Sequence, residues 1–158
     1  MPFRHVFLRL LSVVTLLFVV SGFTPEGTVP EALASTVPSG FADQAFTTLG
    51  SPTAIAFTPD PDVHLIALQQ SGQAQVYHLD GTLVTQAVDI SSEICAQWER
   101  GLLGIAIDPD FNNNHFVYLF ANFGGCDSNN DGRVVRYTVN NDMTFGSRVT
   151  IIDNIPSL

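Results

Sequence analysis

Glu99 and Arg100 stand side by side before a run of small and aliphatic residues, Gly101-Leu102-Leu103-Gly104-Ile105-Ala106-Ile107. A carboxylate accepts hydrogen bonds and a guanidinium donates them. At the mouth of a buried strand the pair could therefore hold the hydroxyls of a polyhydroxylated ligand in a cleft. The same two side chains serve equally as a framework ion pair or a solvated loop. Trp98, beside them, either stacks on a sugar or covers a junction in the fold. Asp127-Ser128-Asn129-Asn130-Asp131-Gly132 fits the first half of a calcium loop, with Asp127, Asn129 and Asp131 at alternate positions and glycine at the sixth. Its twelfth position is Thr138, where a bidentate Glu is wanted, so a solvated turn rich in Asn, Asp and Gly competes with calcium. His64, His78 and His115 show no metal-ligand spacing and read as surface or internally satisfied residues. Neither a nucleophile elbow nor a glycine-rich phosphate cradle is present, which argues against a hydrolase.

The elements that would position these groups are short strands. Thr53 to Thr58, Val63 to Leu68, Gln75 to Leu79 and Leu83 to Ile90 are four apolar runs, parted by Pro-Asp, Ser-Gly and Asp-Gly turn signals. Leu102 to Ile107, Phe116 to Ala121, Arg133 to Val139 and Val149 to Asp153 form a second set. Ile55-Ala56-Phe57-Thr58-Pro59-Asp60 matches Ile105-Ala106-Ile107-Asp108-Pro109-Asp110 at an offset of fifty (105 − 55). Four strands per unit at this period point to an all-β protein, a β-propeller of which this chain covers two four-stranded blades; an antiparallel sandwich is the competing architecture. The innermost strand of each blade is expected to be the most apolar, covered on both faces. Two blades cannot close a ring, so the sequence reads as the N-terminal part of a longer protein. Residues 35 to 50 read as a lead-in segment anchored by Phe41, Phe46 and Leu49.

Blade geometry brings the connection entering an inner strand, 91–101, beside the one between strands two and three, 122–132. Cys95 lies in the first and Cys126 in the second, and the chain has 2 cysteines. In an exported protein a disulfide is the natural reading, with two unpaired thiols as the alternative. Export itself is indicated by Arg4 and Arg9 flanking the apolar run Leu10 to Val20, followed by Ala32-Leu33-Ala34. Residues 1–34 are thus expected to be a signal peptide, with cleavage after Gly22 or an uncleaved anchor as alternatives. Residues 35–158 then form the incomplete propeller domain, working in the periplasm or outside the cell with no membrane span in the mature chain. The run is short against the ~20 residues of a spanning helix. The composition, 46% hydrophobic and 13% charged, excludes disorder. Six basic residues, all Arg, against 15 carboxylates give a net charge of −9, which repels nucleic acid; the lack of Lys removes Schiff-base and P-loop chemistry.

Pro52-Thr53-Ala54-Ile55-Ala56-Phe57, Asp89-Ile90-Ser91-Ser92, Glu99-Arg100-Gly101-Leu102-Leu103-Gly104-Ile105-Ala106, Asp108-Pro109-Asp110-Phe111, Val117-Tyr118, Arg133-Val134-Val135-Arg136-Tyr137 and Asp153-Asn154-Ile155-Pro156-Ser157 follow one another in order. This series resembles the glucose/sorbosone dehydrogenases, the soluble PQQ-dependent aldose sugar dehydrogenases. The resemblance implies a six-bladed propeller that oxidises the anomeric carbon of an aldose by hydride transfer to PQQ, held with calcium, and passes the electrons to an external acceptor. It implies that Glu99 stands where the family has a Gln or Glu lining the sugar pocket. It also implies that the catalytic His lies downstream of Leu158, as do the parts that bind PQQ and calcium, so that this piece alone is inactive. Asp108 departs from the family, where a His is common, on the face away from the site. A non-catalytic extracellular recognition propeller of the same fold is the rival expectation.

Overall fold

The structure, a computed structural model, describes residues 37–127 and 131–156. The proposed signal peptide, Asn129 and the end of the Ile-Pro-Ser segment lie outside the described residues. The chain divides into two units, Met1–Asp43 and Gln44–Leu158. Of the first, the described part holds a turn in which Phe41 N–H donates to the Pro38 carbonyl at 3.0 Å. Phe41 is 74% exposed there.

The second unit consists of two meanders of antiparallel strands. β1 (Pro52–Phe57), β2 (Leu65–Gln69), β3 (Gln73–Tyr77) and β4 (Leu83–Asp89) form one sheet in that order. β5 (Leu102–Ile107), β6 (Phe116–Phe123), β7 (Asp131–Val139) and β8 (Phe145–Ile155) form the other. One helical turn, α1 (Phe111–Asn114), lies between β5 and β6. The inner strands of the two sheets begin fifty positions apart (102 − 52), and each breaks register at its start, between Pro52 and Ala54 and between Leu102 and Gly104. A bulge at the same place in both units shows that the repeat extends to backbone geometry.

Alternation along the strands assigns the faces. In β2, Ile66 and Leu68 point into the core between the sheets, as do Val117, Leu119 and Ala121 of β6 and Val135, Tyr137 and Val139 of β7. The opposite face of the first sheet carries Leu65, Ala67 and Tyr77, over which Leu49 packs. Phe46 meets Tyr77 edge to face at 6.0 Å. The lead-in segment thus docks on the first blade through Phe46 and Leu49. β2 and β6 are the deeply buried strands, whereas β1 and β5 are only partly covered, with Ile55 58% and Phe57 52% exposed. The expectation that the inner strands would be the most enclosed is corrected: each has a ladder partner on one edge, and within these two blades one of its faces lacks a facing sheet.

Candidate functional site on the inner-strand entrance

The connection 91–101 is fixed at both ends and open in the middle. At its start, Ile90 N–H donates to the Gly72 carbonyl at 3.0 Å, and the Asp89 carboxylate accepts from Ser91 N–H at 2.9 Å and from Gln73 Nε2 at 3.2 Å. Hydrogen bonding from Ser91, and then from Gln73, holds the Asp89 carboxyl below the usual carboxylate range. Further on, Ile94 bridges Phe123, Cys95 N–H donates to the Asn122 carbonyl at 2.9 Å, and Gly124 N–H donates to the Glu93 carbonyl at 2.9 Å. Cys95 and Cys126 form a disulfide with Cα atoms 4.8 Å apart, which joins the two connections that blade geometry places side by side. From the outer strand, Arg148 Nη2 donates to Glu93 Oε2 at 2.6 Å; this bond raises the Arg148 pKa.

The far end of the connection is held by two residues with no motif around them. Gln70, in the β2–β3 turn of the other blade, donates through Nε2 to the carbonyls of both Trp98 and Arg100, the latter at 2.9 Å. Its own carbonyl accepts from Leu102 N–H at 3.1 Å. Asn122, 4% exposed, accepts from Gly101 N–H through Oδ1 at 3.2 Å and donates its backbone N–H to the Gly101 carbonyl at 3.0 Å. Gly101 adopts φ 143°, and a Cβ there would run into the Gln70 carbonyl. The glycine before the inner strand is therefore required by the backbone. Neither Gln70 nor Asn122 was legible as a site residue, because each acts on residues at least twenty positions away. The one available signal was Asn122 at an inward strand position.

Between these clamps the chain bulges into solvent. Trp98, with φ 55°, is 78% exposed, and the Arg100 guanidinium carbon lies 4.8 Å from its ring centroid. Arg100 Nε is buried without a hydrogen-bond partner among the described residues. Glu99 is exposed and has no ion pair or hydrogen bond among the described residues, so Arg100 binds Trp98 rather than its charged neighbour. Gln97, Trp98 and Glu99 are the exposed side chains at this bulge. Of the calcium-loop candidates, Asp131 is engaged by Arg133 Nε and Nη2, both at 2.8 Å, and by Asn154 N–H at 3.1 Å. The Arg133 bonds are the main reason its carboxyl is held low. Among the described residues no group of three His, Cys, Asp or Glu is placed to hold a metal ion.

The other connections emerge on the opposite face. His64, 5% exposed, lies there with its ring 5.1 Å from that of His78, a pairing the sequence did not reveal. Asp108 also lies there. Its Oδ2 accepts from the Tyr118 hydroxyl at 2.7 Å, and its Oδ1 accepts from Asp110 N–H and Asn114 Nδ2, both at 2.9 Å. Those bonds, from Asn114 first, lower the Asp108 pKa, while the bond to Asp108 raises that of Tyr118.

Two four-stranded meanders packed face to face, with their inner strands entering at one shared side, define a β-propeller segment. The glucose/sorbosone dehydrogenase family model matches residues 49–157, and the chain belongs to that family. It is 28% identical over 159 residues to quinoprotein glucose dehydrogenase B of Acinetobacter calcoaceticus, covering 95% of this chain and 33% of that one. The PQQ-bound aldose sugar dehydrogenase of Streptomyces coelicolor superimposes with a TM-score of 0.58 at 26% identity, over 70% of this chain and 32% of that one. The apo form of the soluble aldose sugar dehydrogenase of Escherichia coli gives 0.60 at 22% identity, over 70% and 31%. The chain thus spans about a third of the length of these relatives.

Proposed function

We propose that this chain is the N-terminal two blades of an exported, PQQ-dependent aldose dehydrogenase, in which Glu99 lines the sugar pocket. The carrying observation is the shape of the 96–100 loop, clamped by Gln70, Asn122 and the disulfide so that Glu99 projects from that frame with no partner among the described residues. A carboxylate held this way accepts hydrogen bonds from sugar hydroxyls without first breaking an ion pair, and Trp98 offers a flat face to the ring. When bound, PQQ supplies the acceptor for the anomeric hydride. Proton removal from the anomeric hydroxyl falls to a His expected beyond Leu158. Arg100, the cation of the loop, has its guanidinium stacked on Trp98 rather than open to the carboxylates of the cofactor. We therefore assign the cofactor and calcium contacts to parts of the protein outside this chain. A signal peptide over residues 1–34 fits the disulfide, which needs an oxidising compartment.

The test is dye reduction by the full-length protein with PQQ, calcium and a panel of aldoses. Turnover with a KM raised by Glu99→Ala, and none from residues 35–158 alone, is the expected result. A folded full-length protein that reduces no dye with any aldose would instead favour a recognition propeller.

A further inference from the structure

We propose that the cavity between the two blades on the opposite face, about 510 Å³, is a second binding site, for a neutral polyhydroxylated ring of pyranose size. Its volume falls in the range of small-molecule sites, roughly 300–1,000 Å³. Its walls come from both described blades. Phe111, Val139 and Met143 give it an apolar floor, the first two 7% and 5% exposed. Such a floor suits the C–H face of a sugar ring.

The rim supplies hydrogen bonding. His115 closes α1 in the left-handed conformation, with its N–H donating to the Phe111 carbonyl and its carbonyl accepting from Val139 N–H, both at 2.8 Å. These bonds set its ring edge-on to Phe111, 5.6 Å away, at the mouth of the cavity. The His115 ring nitrogens and the Asn141 amide have no hydrogen-bond partner among the described residues, so both are available to a ligand. Asn112 Nδ2 donates to the Asp60 carbonyl of the other blade at 2.9 Å and straps the mouth. The charge of the lining selects the ligand class. Among the described residues it includes no Arg, which disfavours phosphates and carboxylates. Its one carboxylate, Asp62, has an 88% exposed side chain lying 3.7 Å from His64, a poor trap for an ammonium.

The proposal is independent of the dehydrogenase reading. The probe is methyl β-D-glucopyranoside, which lacks a free anomeric hydroxyl and cannot undergo the proposed oxidation. Saturation-transfer NMR on the full chain is expected to show saturable binding that phosphate and butylammonium do not displace. Asn141→Trp, which fills the mouth from an exposed position, should weaken binding at least ~10-fold, the scale of a lost hydrogen-bonded contact. Gln86→Ala, at an exposed position on β4 away from the cavity, should leave it unchanged. Absence of saturable binding, displacement by either ion, indifference to Asn141→Trp, or loss in Gln86→Ala would each overturn the assignment. If circular dichroism shows that Asn141→Trp misfolds, Asn141→Ala decides in its place.

Discussion

The two blades have the same strand order and the same bulge opening the inner strand, yet the turns leaving that strand differ, with α1 in the second alone, and their polar residues have parted. Thr58 and Asp108, fifty positions apart, receive their chain through matching bonds: Thr58 N–H to the His64 carbonyl and Asp108 N–H to the Phe116 carbonyl, both at 3.0 Å. In the first blade a hydroxyl does the capping, accepting from His64 N–H at 2.7 Å and donating to the Asp62 carbonyl at 2.9 Å. In the second a carboxylate takes three donors. At the other ends of the inner strands the divergence is wider. The first blade's β2–β3 turn is the short Gln70-Ser71-Gly72, while the second blade's β6–β7 connection carries Cys126 and the acidic stretch. Strand order and the opening bulge are shared between the repeats, and the polar chemistry differs in the connections.

The largest effect should come from the shared part. Leu119→Ala, fully buried between the blades, should cost about 2–5 kcal/mol in urea unfolding. Ile55→Ala, on the open face of β1, should cost far less, and equal losses would break the distinction between enclosed and open strands. The disulfide belongs to the second blade alone. Cys95→Ser with Cys126→Ser should remove about 3–4 kcal/mol in the chain-entropy account of a loop closed over 31 residues. Gly101→Ala should cost about 1–3 kcal/mol from backbone strain and shift the loop, seen as changed Trp98 fluorescence.

Acid should act more mildly and through named groups. The Asp131 carboxyl is depressed chiefly by Arg133, so it stabilises the fold above the unfolded-state value of about 4, and that stability is lost as pH falls through the lower folded value. Asp131→Asn should flatten this part of the acid unfolding profile. Glu99→Ala, at an exposed position without a partner among the described residues, should move stability by no more than about 0.5 kcal/mol; a larger loss would show that Glu99 holds the framework together.

The strands were legible because they are apolar and punctuated. β5 occupies the predicted residues, and the others move by a few at their ends, except β8, which runs from Phe145 rather than Val149. Its first residues alternate too weakly to read, and pairing with β7 recruits them. The turn α1 escaped because Asn-Asn-Asn has poor helix propensity and is a single turn set by the Asp108 and His115 bonds. The meeting of Cys95 with Cys126 followed from blade geometry. The hold of Gln70 on Trp98 and Arg100 did not, since it joins residues 28 and 30 apart through one amide with no local pattern. Sequence left Glu99 and Arg100 open between ligand contact, a framework ion pair and a solvated loop; the Trp98 ring takes the guanidinium, and Glu99 has no partner among the described residues.

Gln70 belongs to one blade and holds the loop of the other. The coordinates of Glu99 are thereby indexed to a neighbour it never touches. Any drift in how the wedges abut, from a resized side chain deep in the seam or from heating, would be relayed to the carboxylate as a displacement. Selection on the position of Glu99 would in that case also constrain the seam, coupling two parts that the repeat would otherwise let evolve separately.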